Sequence, residues 1–215
     1  MRGLIFDFDG LVIDSETLTA KVAMEIVSER GGTSELGDWA PLFGPTGPDI
    51  DTEWGRTLTR LLGPHVDPAE FDALLTERRR PLVDDLQPLP GVLELMEAAR
   101  KKGWKIGLAT GHDGTPLMST LERLRLLGRF DAIVQTTEVG RSKPAPDILL
   151  EAARRLQLDP HECLVLEDSI AGYQAAEAAG MSVVVCPCEV TKFSTFPDEV
   201  MLVESLVDVN LDDYP

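Results

Sequence analysis

The stretch that decides the fold is "IFDFDGLVIDSE", residues 5 to 16. A short apolar run ends in two aspartates two positions apart, Asp7 and Asp9, followed by Gly10. Asp14 and Glu16 come soon after. "GLIFDF" reads as a buried strand, and unpaired charge at the end of a buried strand is costly. Their spacing of two lets Asp7 and Asp9 point to the same side of an extended chain. Gly10 permits a sharp turn and a close approach of backbone to a ligand.

Downstream, residues 15 to 30 predict a helix with Leu18, Val22, Ile26 and Val27 on one face and Asp14 or Ser15 as its cap. Residues 31 to 55 are rich in glycine and proline and lack Lys and Arg, which predicts loops and short turns. Helical patterns resume over about 50–62 and 68–79. "LQPLPGV" at 86–92 then punctuates the chain, and a regular alternation begins. Helices are predicted over about 91–102, 115–127, 145–157 and 169–179. They alternate with the strands "WKIGLAT", "DAIVQT", "CLVLED" and "SVVVC". "VMLVESLVDVN" predicts a last strand and a short closing element. Short apolar strands alternating with helices indicate a parallel sheet covered on both faces. The expected architecture is α/β: a Rossmann-like parallel-sheet core from residues 1–13 and 87–215, with a small helical domain, 14–86, inserted after the first strand.

Parallel sheets of this kind bind ligands at the carboxyl ends of their strands. Those ends carry Asp7, Phe8, Asp9 and Gly10; Thr110 and Gly111; and Glu167, Asp168 and Ser169, with Lys143 delivered after "DAIVQT". Several carboxylates in one crevice repel one another unless a cation intervenes. Magnesium suits one or two carboxylates completed by water and phosphate, and it would make an anionic substrate welcome. Lys143 is a charge suited to phosphate. The backbone after Asp7 and Thr110, including Gly10 and Gly111, can offer amides to an anion. One aspartate can attack phosphorus, while the other protonates the leaving oxygen and then takes a proton from water.

These residues resemble the haloacid dehalogenase superfamily, in its phosphatase branch. "DFDGLV" matches the first motif, "LAT" ending at Thr110 the second, Lys143 in "SKPAPDI" the third and "LEDS" the fourth. "IDSE" at 13–16 and "LPGV" at 89–92 match the borders of a helical cap. The resemblance implies Asp7 as nucleophile and Asp9 as acid/base. It also implies Mg2+ on Asp7, the Asp9 carbonyl and Asp168, with Glu167 nearby or ligating, and the phosphoryl group held by Thr110 and Lys143. The dehalogenases that name the group are metal-free and lack the second aspartate, so Asp9 points away from them. The subgroup most resembled is that of beta-phosphoglucomutase and sugar-phosphate phosphatases. Thr19 stands where the mutase has a cap histidine, and the expected specificity loop "LFGPTGPD" carries no cation. Hydrolysis of a small phosphorylated metabolite, a sugar monophosphate, is therefore expected over mutase chemistry. A phosphomutase of the same fold is the first rival. A non-catalytic binding or regulatory protein is the second, and the intact motifs count against it.

The formal net charge of -17 disfavours nucleic acid and anionic membrane surfaces as partners. No apolar run approaches the roughly 20 residues a bilayer span needs, and "MRGLIFDFDG" is not a signal peptide. A cytoplasmic monomer is the expectation. Cys163, Cys186 and Cys188 lack the spacing of the usual metal or redox pairs and read as buried or incidental thiols. Trp39 and Trp54 read as packing residues of the helical segment more than as substrate walls. His112 reads as an exposed loop residue with a substrate contact as the alternative. "RRR" at 78–80 reads as a solvated helix end favoured by the helix dipole.

Overall fold

The computed structural model describes residues 1–43, 48–111 and 116–214, with backbone alone for 48–52 and 116. His112 and residues 44–47 of the predicted specificity loop lie outside the described residues. Five parallel strands form one sheet: β1 (Gly3–Phe6), β2 (Lys105–Thr110), β3 (Ala132–Gln135), β4 (Cys163–Glu167) and β5 (Ser182–Val185). Their order is β3-β2-β1-β4-β5, which puts β1 at the centre. Phe6 pairs with Leu108 on one side and Leu166 on the other. The carboxyl ends of β2, β1 and β4 therefore lie side by side.

The sheet is buried on both faces, as its continuous apolar strands require. Side chains alternate across a strand, and β1 follows that rule. Leu4 and Phe6 join a cluster with Val92, Leu95 and Met96 of α4 (Val92–Lys101) and Leu117 and Leu121 of α5 (Pro116–Arg123). Ile5 joins the opposite cluster, under Ile148, Leu149 and Ala152 of α6 (Asp147–Leu156) and Ala175 and Ala176 of α7 (Ile170–Ala179).

The remaining helices, α1 (Ser15–Glu29), α2 (Pro48–Leu62) and α3 (Pro68–Val83), pack around a third apolar cluster, which also takes in Cys188 and Val190 from the segment after β5. Ala23, Ile26, Trp39, Leu58 and Phe71 are fully buried in it. Trp39 stacks on Phe71 at 6.4 Å, and Trp54 meets both rings. Both tryptophans thus pack within the helical lobe. Arg123 of α5 donates to the carbonyls of Val83 and Leu86, tying the end of α3 to the sheet domain.

The predicted last strand is reduced to a single parallel bridge between Val185 and Leu202. Beyond it the chain turns away from the sheet edge to seat Leu206 and Leu211 in the cluster beneath α4. Burial of those two side chains wins over a longer ladder. Among the described residues, no helix is long and apolar enough to cross a membrane.

Candidate active site

The site begins where β1 stops. The amide of Asp7 still donates to the Leu166 carbonyl (3.0 Å), the last sheet bond of this strand end. The chain then folds into a compact turn. The amides of Leu11, Val12 and Ile13 all converge on the Phe8 carbonyl, and the Gly10 amide donates to the Ile13 carbonyl at 2.8 Å. Gly10 has φ 81°, and a β-carbon there would sit 2.2 Å from Oδ2 of Asp168. Both the left-handed backbone and the close approach require glycine. The turn delivers the chain to α1, whose cap Asp14 accepts from the Thr17 amide at 3.1 Å. One residue on, the Ser15 hydroxyl donates to Oδ1 of Asp9 at 2.5 Å. Asp7 is thereby buried against the sheet, while Asp9 lies at the wall of the cleft between sheet and helices.

Lys143 reaches this point from the loop before α6. Its ammonium donates to Asp7, to Oε1 of Glu167 (2.5 Å) and to the Ala109 carbonyl (3.0 Å). Burial alone would lower the Lys143 pKa, but Asp7 and Glu167 outweigh it and hold the group raised. Burial pushes the Asp7 carboxyl well above the usual range; Lys143 opposes that rise, and Glu167 and Asp168 add to it. Thr110, fully buried at the end of β2, accepts at its carbonyl from the Thr136 hydroxyl at 3.5 Å. Gly111 follows it, half-buried.

At the end of β4, Glu167 and Asp168 are each 1% exposed. Ser169 caps α7 by accepting from the Gly172 amide at 3.1 Å. Gly172 is a site residue that sequence reading missed. A β-carbon there would lie 1.9 Å from the Glu167 carboxylate, so only glycine lets α7 pass over it. Its signal was small size in the first turn after "LEDS".

Asp7, Glu167 and Asp168 each place a carboxylate oxygen within 4.8 Å of the others. Burial and the neighbouring Glu167 raise the Asp168 pKa to about 7, against opposing contributions from Glu16 and then from Thr191, which donates to its Oδ2 at 3.1 Å. An all-oxygen, over-charged donor set of this kind fits a hard divalent cation. Sequence reading placed Asp7, Asp9, Gly10, Thr110, Gly111, Lys143, Glu167 and Asp168 at one sheet edge, and the fold brings them to that edge.

A cleft of about 680 Å3 meets this group at Asp9 and is lined by Phe8, Asp9 and Ser15 on one side and by Arg79 and Arg80 of α3 on the other. Here the solvated reading of the arginine run holds only in part. Arg78 forms a two-pronged bond to Glu29 on the outside of the lobe, at 2.7 Å to each oxygen. Arg79 turns inward instead and donates to the Thr19 hydroxyl at 3.1 Å. Thr19 itself donates to the Ser15 carbonyl at 2.7 Å. The helical lobe therefore does bring cations to the cleft, from α3 and not from residues 31–55.

Comparison with known proteins agrees with this geometry. A family model described as haloacid dehalogenase-like hydrolase matches residues 4–186. YhcW of Bacillus subtilis strain 168, a provisionally named phosphatase, is 34% identical over 211 residues, covering 98% of this chain and 94% of that protein. Fructose-1-phosphate phosphatase YqaB of Escherichia coli K12 is 33% identical over 186 residues, covering 85% of this chain and 94% of that protein. A Thermotoga maritima crystal structure, provisionally assigned as a beta-phosphoglucomutase, superposes with a TM-score of 0.74 at 25% identity over the full length of both chains.

Proposed function

The chain belongs to the haloacid dehalogenase-like hydrolases, and on that premise we propose that it is a magnesium-dependent phosphatase of a small phosphorylated metabolite, a sugar monophosphate. The observation that carries this is the pairing at the end of the central strand. Asp7 is buried against Lys143, and Asp9 stands two residues on at the wall of an open cleft.

An Asp7 oxygen attacks phosphorus, forming an aspartyl phosphate as the bond to the leaving oxygen breaks. Asp9 gives its proton to that oxygen, so the alcohol departs neutral. Asp9, now ionised, takes a proton from water as the water attacks the phosphoryl group and frees Asp7. The Ser15 hydroxyl orients the Asp9 carboxyl for both transfers. Lys143 balances Asp7 and meets the phosphoryl oxygens, together with Thr110 and the amides near Gly10 and Gly111. Asp7, the Asp9 carbonyl and Asp168, with Glu167 alongside, would hold magnesium, which would supply charge stabilisation to the transferring group. Residues 14–86 act as a cap whose closure excludes bulk water, and Arg79 faces the part of the substrate distant from phosphorus. The sugar assignment draws on the Escherichia coli relative named for fructose 1-phosphate.

A phosphomutase is the second reading, favoured by the Arg79 cation in the cleft and by the Thermotoga maritima likeness. One experiment addresses both. Phosphate release is measured from an aryl phosphate and a panel of sugar monophosphates, with magnesium or chelator, for wild type and Asp7→Asn. Release that needs magnesium and falls by about 10^4-fold or more without Asp7 supports the phosphatase. Conversion of a hexose 1-phosphate to its isomer without net release supports the mutase. A folded protein that does neither overturns both.

A further inference from the structure

Beside the carboxylates just described lies a second cluster, Glu16, Asp168 and Cys188, whose carboxylate oxygens and thiol sulfur lie within 4.8 Å of one another. It shares only Asp168 with the first. Glu16 comes from the first turn of α1, and Cys188 from the segment after β5. Oε2 of Glu16 is sealed from solvent and has no hydrogen-bond partner. Its carboxyl instead faces Asp168 and Cys188. Acceptor is thus set against acceptor, an arrangement that needs a proton or a cation between them. Thr191 cannot serve both sides, since its single hydroxyl proton is shared between Asp168 and the Cys188 sulfur (3.3 Å).

A separate cavity of about 200 Å3 reaches Cys188 and Gly10 from the side of the hinge. Its walls include Asp14, Cys186, Glu189 and Glu204, so an approaching cation meets acidic groups and thiols along the path. No residue of the substrate cleft lines it.

We propose that Glu16, Asp168 and Cys188 form a binding site for a thiophilic divalent cation of the zinc class, entered from this cavity and distinct from the oxygen-only magnesium set. The donor types decide the selectivity. Magnesium gains nothing from sulfur, whereas zinc and cobalt bind thiolate strongly. On binding, the sulfur–metal bond forms as the Cys188 thiol proton leaves to solvent. Because Asp168 belongs to both sets, a thiophilic ion here draws that carboxylate away from the magnesium position. The binding stands whatever the enzyme's substrate is.

Cobalt(II) is the probe, added to the full metal-free chain, with thiolate-to-cobalt charge-transfer absorbance as the readout. One equivalent should produce the band. Cys188→Ser should abolish it, Glu16→Gln should weaken binding by about tenfold or more, and Cys186→Ser should leave it in place. A band missing from wild type, or one that survives Cys188→Ser, overturns the site, as does loss of the band in Cys186→Ser alone. Should Cys188→Ser fail to fold, alkylation of wild type with and without zinc decides the matter. Zinc-dependent protection localised to Cys188 by mass spectrometry supports the site, and unchanged labelling of Cys188 overturns it.

Discussion

Two groups of buried carboxylates meet at Asp168, and they are neutralised differently. On one side Asp7 and Glu167 share the Lys143 ammonium, a counter-charge built into the chain. On the other, Glu16 faces Asp168 and a thiol, with no hydrogen-bond partner for its Oε2. A chain can thus concentrate negative charge inside itself in two ways. Where a lysine is supplied, its ammonium donates to both carboxylates and opposes the rise that burial imposes on Asp7. Where none is supplied, the cluster depends on protons or on a cation from outside.

The largest test removes the built-in charge. Lys143→Met leaves Asp7 and Glu167 buried without their partner, which should cost about 3–5 kcal/mol of stability in metal-free protein. Urea denaturation in chelator measures it. A loss smaller than about 1 kcal/mol would mean that Asp7 and Glu167 simply take up protons and that the two clusters are alike.

Next comes pH. Asp168 has a folded pKa of about 7 against an ordinary value of 3.8. Between those values the folded chain keeps a proton that the unfolded chain has released. Stability of the metal-free protein should therefore be fullest below about pH 4 as far as this group goes, and fall as pH rises to about 7, by a few kcal/mol at most. Saturating magnesium should flatten the decline, because the bound ion prefers the ionised carboxylate. Melting temperature against pH, in chelator and in magnesium, reads both; a rise over this window in chelator would break the comparison.

Smaller still is the effect of Arg79→Ala. Loss of a charged hydrogen-bond donor in the cleft should lower kcat/KM for sugar phosphates by about tenfold or more. An aryl phosphate, with nothing for Arg79 to grip, should be affected much less. Equal losses on both substrates would show that Arg79 only positions the α3 end of the lobe. The smallest change is Glu16→Gln. An amide donates at every pH, whereas Glu16 donates only while it holds a proton, so metal-free protein at alkaline pH should gain about 1 kcal/mol. The sign is opposite to that of Lys143→Met, and a destabilisation by Glu16→Gln would show that Glu16 is already satisfied.

The sheet, its strand ends and the residues gathered there were legible in local sequence pattern. Apolar runs too short for anything but buried strands alternate with helices, and polar residues stand at the ends of those runs. Since every parallel strand directs its carboxyl end to the same edge, Asp7, Thr110 and Glu167 were bound to meet once the strands were identified. Lys143 was legible only because it follows the third strand in a fixed succession of motifs. Tertiary structure decided what depends on packing between distant segments. Arg78, Arg79 and Arg80 are adjacent in sequence, yet the rotation of α3 pairs the first with Glu29 and sends the second to Thr19 in the cleft. Gly172 is one small residue among several until α7 is laid over Glu167. Glu16 and Cys188, far apart in the chain, become neighbours only when α1 and the segment after β5 both close on Asp168. Local patterns record which face of an element is apolar; they do not record which distant side chain that packing brings within bonding distance.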